Sequence, residues 1–484
     1  MKKLLLLILL IGVCAAQSQI KFEDFFENKT LRIDYYRVGG AKGETTVIDK
    51  VLKYGEWYGN PDQVISPFQM GRNRIKLYDL TTNQLIYSRG YDNYFGEYQV
   101  STIALAGKDR SYFETALVPL PKRPVMFVLE TRDKEYVYHV KFQTKIDPKD
   151  YHINSETRKR NDIIVKEIDN GSSHKKVDLV FVGDGYTADD EEKFRADLTK
   201  YTKVLFEQEP YKSRKDDFNV YGVMSPSVES GVDEPRKGVY KNTVLNCTFN
   251  SLDSERYLLT EDVETLYDIV SQVPCDAIAI MCNIDRYGGG GIYNFYATFT
   301  ASNQRDDYVF LHEFGHSFAG LADEYYTSDV AYTDFYPKGI EPAEPNITAL
   351  LDKDHLKWKD LMSPGLGIPT EWGKETFDSL NTTIGKLYKE RAKKLKSAKT
   401  ESEKKKITSE TRERVRETYA ALDKFLKEHP LRGKVGVFEG AGYSSKGLYR
   451  PTLNSIMHKF TKEDKSYYPV SAKAINDMID FYTK

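Results

Sequence analysis

Cysteine is scarce, with four residues in 484: Cys14, Cys247, Cys275 and Cys282. No Cys-x-x-Cys cluster occurs, so nothing points to a structural zinc held by thiolates. Cys275 and Cys282 flank "DAIAIM", which reads as a buried strand. Seven strand steps span roughly 23 Å, beyond disulfide reach, so an intramolecular bridge would need Cys247 at one end. An excess of charge is lacking as well. Seventy Lys and Arg face 72 Asp and Glu, a formal charge of −2, which implies no nucleic acid and no anionic membrane as partner. Long apolar runs are missing after the first residues, and nothing there resembles a transmembrane helix.

What is present is a globular composition, 40% apolar and 29% charged, with 35 Tyr. A chain of this length suggests two or three domains. The start, "MKKLLLLILLIGVCAAQSQ", has two Lys, an apolar stretch from Leu4 to Val13, and Ala15 and Ala16 as a small-residue cleavage site. It reads as a signal peptide over residues 1–16, hence export to the periplasm or beyond. A lipid anchor on Cys14 is disfavoured by the bulk of Val13, which stands where a small residue is wanted.

Residues 21–146 read as an all-β accessory domain, an antiparallel sandwich. "NQLIYSRGYD", "EYQVSTIAL", "RPVMFVLETRD" and "EYVYHVKFQTKI" alternate apolar and polar residues between turn signals. Residues 147–162 are polar without period and read as a linker. From 163 to 484 the pattern becomes α/β. Strands are expected in "KKVDLVFVGDG", "FNVYGVMS", "CDAIAIMCN" and "GIYNFYATFTA", with a helix capped by Thr187 and another in "TEDVETLYDIVSQV". Residues 386–428 interleave Lys, Arg and Glu at helical spacing and read as an inserted, solvated helical hairpin.

The chemistry concentrates in "YVFLHEFGHSFAGLADEYY". His312 and His316, four apart on a helix, can offer two imidazoles to one zinc ion, with Glu313 beside them as general base. About 0.01 such matches are expected by chance in a chain with this few His. A catalytic zinc normally takes three protein ligands. The metzincin register puts the third at position 322, which is Ala, but Gly320 and Asp323 keep the Gly-x-x-ligand spacing one residue later. Asp323 is therefore the expected third ligand, with Glu324 as rival or as an orienting neighbour. Glu341 and Glu344 lie among prolines that oppose a helix. Far downstream, "GLYRPTLNSIMHKF" offers Met457 as a Met-turn, an apolar floor beneath the metal. Lys459 stands where some metzincins carry a Tyr ligand. Tyr443 and Tyr449 are candidates for stabilising an oxyanion, and His458 reads as structural or exposed. "RYGGGGIYNFYATFTA" is either a substrate-pairing edge strand or a loop feeding a core strand.

"HEFGHSFAGLADEY", together with "VFVGDGYT", "YGGGGIYN" and the late "YRP" and "SIMH", resembles the IgA-peptidase family of secreted bacterial zinc metallopeptidases. The resemblance covers nearly all of the chain after its first residues. It implies a metzincin-like catalytic domain behind a β accessory domain, a zinc cofactor, and endopeptidase activity on protein or peptide. Carried over by position, the ligands would be His312, His316 and Asp323, with Glu313 as base and Met457 in the turn. Two other functions compete: an exported surface module that binds glycan or protein and keeps a relict zinc site, and a zinc amidase acting on cell-wall peptides.

Overall fold

The computed structural model describes residues 20–156, 160–326, 335–459 and 466–484. The leader read over residues 1–16 lies outside them.

After a single turn, α1 (Phe22–Phe25), the first part of the chain forms β1 (Phe26–Gly40), β2 (Gly43–Lys53), β3 (Asn73–Asp79), β4 (Leu85–Tyr91), β5 (Arg110–Pro121), β6 (Val125–Arg132) and β7 (Tyr138–Ile146). They pair antiparallel in two sheets, β2-β1-β5 and β4-β3-β6-β7. Alternation does the sorting: β3 buries Asn73, Ile75, Leu77 and Asp79 and half-exposes the residues between. Leu31, Ile33 and Val118 from one sheet pack against Leu77, Phe127 and Leu129 from the other. Each such side chain contributes about 1.5–3 kcal/mol on burial.

One expected strand is absent. "EYQVSTIAL" lies across two short helices, α2 (Tyr94–Gln99) and α3 (Thr102–Leu105). The alternation there is real, but the caps overrule it. The Asn93 side chain accepts from the Gly96 amide and that of Ser101 from the Ala104 amide, each satisfying an orphan donor of a helical turn.

The second part contains β8 (Ile163–Ile168), β9 (Val177–Asp184), α4 (Glu191–Phe206), β10 (Phe218–Met224), α5 (Val263–Val270), β11 (Ala277–Cys282), β12 (Gly289–Ile292), β13 (Tyr296–Thr300) and α6 (Asp306–Ala319). It continues with α7 (Lys374–Ser397), α8 (Glu401–Glu428), β14 (Val435–Ala441), β15 (Ser444–Thr452) and α9 (Tyr468–Thr483). Six strands form one sheet in the order β12-β13-β11-β9-β10-β8, parallel at its centre and antiparallel at both edges. Every residue of β9, β10 and β11 is buried, because both faces are covered. Phe194, Phe310, Phe314 and Ile475 pack on one face. Leu266 and Ile269 share the other with Tyr94, Phe95 and Tyr112 of the β region.

"GIYNFYATFTA" is two strands rather than one. Asn294, at φ 53°, turns the chain between β12 and β13, a backbone conformation that Asn tolerates better than most residues. The helical hairpin also starts earlier than its charge pattern indicated. Gly373 adopts φ 68° and releases α7 from Lys374, so Phe377 and Ile384 can face Leu422 and Leu426. The segment read as a linker is partly pinned, since the Lys53 amide donates to Asn154 O and the Asn154 amide to Val51 O. Cys247, Cys275 and Cys282 are all free thiols.

Candidate metal centre and its cleft

Helix α6 begins with Asp306 and Asp307 in its first turn, where acid favours the helix dipole, and ends at Gly320 in the left-handed conformation, φ 60°. The Gly320 amide returns to His316 O at 3.0 Å and the Leu321 amide to Gly315 O at 3.3 Å. This double closure reverses the chain and brings Asp323 back over the two imidazoles.

Three atoms then converge. His312 Nε2 lies 3.0 Å from Asp323 Oδ1, His316 Nε2 lies 3.3 Å from it, and the two nitrogens are 3.2 Å apart. Nitrogen and oxygen ligands of a tetrahedral zinc sit roughly 3.3 Å from one another, given bond lengths near 2.0–2.1 Å. The remaining ring nitrogens are already committed: His312 Nδ1 donates to Ile456 O at 2.9 Å and His316 Nδ1 to Leu321 O at 2.5 Å. In its neutral form each imidazole therefore turns its Nε2 lone pair toward the centre of the triangle. Asp323 Oδ1 is buried without a hydrogen-bond donor, while Tyr443 donates its hydroxyl to Oδ2. A buried carboxylate oxygen between two imidazole nitrogens is what a bound cation would satisfy. Glu313 is also close, since His312, Glu313 and His316 place ligating atoms within 4.8 Å of one another.

The electrostatics agree with a cation-binding pocket. Burial opposes ionisation of Asp323, yet the two imidazoles hold its carboxyl far below the usual range. Burial also opposes charge on His316, but the Asp323 carboxylate lifts that imidazole to about 9. Burial raises Glu313, with both imidazoles pulling the other way.

Glu324 is turned away from the triangle. Its carboxylate accepts from Ser455 Oγ at 2.6 Å and from Asn346 Nδ2 at 3.0 Å, and its amide donates to Met457 O at 2.8 Å. It ties the post-helix loop to the Met457 turn, and its burial raises it to about 7. Met457 is fully buried, and a Cβ placed on Gly315 would meet its Sδ at 3.0 Å, so the thioether lies directly under the turn between the histidines. His458 is buried rather than exposed, with Nδ1 2.9 Å from Asn454 Oδ1. Tyr449 is not brought to the centre. It points the other way from β15 and packs beside Leu356 and Trp358.

The glycine run has a steric reason. β12 crosses α6 so closely that a Cβ on Gly291 would lie 2.3 Å from Glu313 O and 2.9 Å from His316 Cβ. On Gly289 it would lie 2.6 Å from Val309 Cγ1. β12 is an edge of the sheet, although the Leu258 amide already bonds Gly289 O at 3.2 Å.

Above the triangle lies a cleft of about 820 Å³. Arg256, Tyr287, Tyr308 and Tyr325 surround Glu313, Arg72, Arg132 and Tyr136 come from the β region, and Phe377, Ile384 and Tyr419 come from the hairpin. Tyr308 and Tyr325 belong to the metal-site motif and Tyr287 to the glycine run; Arg256, the β-region residues and the hairpin residues meet them only through the fold.

Residues 165–479 match the family model described as IgA Peptidase M64, and residues 21–143 match the one described as Peptidase M64 N-terminus. The chain belongs to the IgA peptidase M64 family. The M64 match runs from β8 into α9 and takes in every residue of the triangle, Glu313 and Met457. The chain is thus a peptidase by family, and the family is one of metallopeptidases. No curated protein matches it.

Proposed function

We propose that this M64 peptidase is an exported, zinc-dependent endopeptidase of metzincin-like design that cleaves polypeptides. The observation that carries the reading is the triangle of His312 Nε2, His316 Nε2 and Asp323 Oδ1, with edges of 3.0–3.3 Å and an orphaned carboxylate oxygen. These three side chains would hold the ion; when bound, it supplies Lewis acidity, polarising the scissile carbonyl and acidifying water.

The chain's own residues do the rest. Glu313, half-buried beside the two imidazoles, takes a proton from the attacking water and returns it to the leaving amine. Its burial favours the protonated form, which suits a carboxylate that must accept a proton and then release it. Tyr443, engaged on Asp323 Oδ2, orients a ligand rather than stabilising an oxyanion as its sequence position suggested. Tyr449, packed elsewhere, takes no part in that stabilisation. An extended substrate would lie along β12 above α6.

The complete triangle and the open cleft favour an active enzyme over an exported binding module with a relict site. The cleft's breadth favours a polypeptide over a small cell-wall amide. Replacing Glu313 with Gln is expected to keep zinc at one ion per chain and to lower cleavage of denatured casein by about 10²–10⁴-fold. Chelation should abolish cleavage by the unmodified protein. Casein cleavage at an unchanged rate in Glu313→Gln would refute the assigned base.

A further inference from the structure

We propose that the α7–α8 hairpin is a basic docking arm that captures acidic stretches of a polypeptide substrate and feeds them into the cleft. This rests on the peptidase reading and adds a substrate class to it.

The charge is local. Between residues 386 and 417 there are thirteen Lys and Arg against six Glu, in a chain whose formal charge is −2. The ion pairs within this stretch are Lys404–Glu401 at 2.7 Å, Lys406–Glu410 at 3.9 Å, Arg414–Glu390 at 3.9 Å and Arg416–Glu413 at 3.8 Å. Lys389, Lys396, Lys405 and Arg412 are exposed and make no ion pair with any described residue.

Their placement is directional. Gly385 of α7 and Tyr419 of α8 line the cleft. Lys389 and Lys396 stand four and eleven residues after Gly385, on the same helical stripe. Arg412 and Lys405 stand seven and fourteen residues before Tyr419, again on one stripe. Each helix therefore carries two unpaired cations outward from a cleft-lining residue, over about 17 Å along α7 at 1.5 Å per residue. At the root of the arm, Lys459 stands 5.0 Å from the Tyr419 ring and 5.7 Å from that of Phe377, so positive charge reaches the cleft itself. Glu401 sits near the α8 stripe at its far end, where Lys404 neutralises it.

The intrahelical pairing expected from the sequence exists but covers only part of this Lys and Arg. Lys386, Arg391, Lys393, Lys394 and Lys399 also make no ion pair with any described residue, so the residual charge surrounds α7 and includes the two stripes that run out from the cleft. A cationic row continuous with a peptide-binding cleft raises the local concentration of acidic chains and speeds their encounter. That continuity favours a polypeptide over a lipid surface or a nucleic acid, because one molecule must occupy row and cleft together.

The test uses a fluorescence-quenched peptide that the zinc-loaded protein cleaves, synthesised with a Glu-rich or a Ser-Gly extension at either end. The unmodified protein is expected to show a kcat/KM at least about tenfold higher for the acidic form in 20 mM salt, with the advantage lost by 0.5 M. In the combined variant Lys389→Glu, Lys396→Glu, Lys405→Glu and Arg412→Glu, the ratio should fall to one or below. Separately, anisotropy of fluorescein-labelled decaglutamate should report at least tenfold weaker binding by that variant, each protein also carrying Glu313→Gln. Equal ratios in the two proteins, equal decaglutamate affinities, or tighter binding of anionic vesicles or single-stranded DNA than of decaglutamate would overturn the arm. Failure of the peptidase reading would show differently: no peptide cleaved, while decaglutamate binding and its loss still report on the arm.

Discussion

Asp323 shows how much can depend on one carboxylate. One oxygen faces the two imidazole nitrogens and the other takes the Tyr443 hydroxyl, so Tyr443 fixes the rotamer through which Oδ1 reaches the triangle. Groups that orient a ligand this way typically contribute 10–100-fold in metal affinity. Tyr443→Phe is therefore expected to weaken zinc binding 10–100-fold in competition with a fluorescent chelator, without loss of fold; unchanged affinity would remove Tyr443 from that role. His316 supplies a pH signature. In the metal-free protein its imidazole is lifted to about 9 by Asp323, burial notwithstanding, so it is protonated at pH 7.5. A metal must displace that proton, and apparent affinity should rise with pH up to about 9 and level off beyond it. Titration calorimetry in two buffers of different ionisation enthalpy should find about one proton released per ion at pH 7.5. No release would mean that His316 is not a ligand or is already neutral.

At the scale of elements, the close crossing of β12 over α6 is the most exacting feature. Gly291 leaves no room for a side chain against the helix backbone at Glu313. Gly291→Val must push the edge strand away, at a cost of about 1–3 kcal/mol or more. Casein cleavage is expected to fall at least tenfold while zinc stays bound; full activity would mean that β12 does not set the cleft. This crossing also marks where sequence reasoning reaches its limit. The four glycines signalled close approach, but not what approached, because the partner lies on another element. His312, His316 and Glu313 were legible because a helix puts residues four apart on one face, and Asp323 because a left-handed Gly dictates where the next residues go. Residues 97–105 misled, since capping by Asn93 and Ser101 outweighs alternation over so short a stretch. Tyr449 misled because nearness in sequence to Met457 says nothing about which face of β15 it occupies. Arg256 and the residues along the hairpin carry no local pattern, so only the assembled fold reveals them.

At the scale of the molecule, the β region is built into the peptidase core rather than tethered to it. Tyr94, Phe95, Tyr98 and Tyr112 pack with Val180, Val182, Ile278 and Ile280 of the large sheet. Arg32, buried, bridges Asp34 at 2.7 Å and Asp268 at 2.6 Å, and Asp92 donates its amide to Tyr293 O at 2.9 Å beside the cleft. Each buried aromatic covers about 150–250 Å², so removing residues 20–146 would expose a large apolar face. The fragment 163–484 is expected to aggregate or to melt on the order of 10 °C or more below the full chain. A monodisperse fragment with an unchanged melting temperature would show the β region to be dispensable for stability.

The central claim is most directly tested by anomalous scattering from crystals grown with zinc, recorded on both sides of the zinc absorption edge. One peak is predicted within bonding distance of His312 Nε2, His316 Nε2 and Asp323 Oδ1, with Glu313 close by but not bonded to it. No peak there, or one held by Glu313 with Asp323 turned aside, would contradict it.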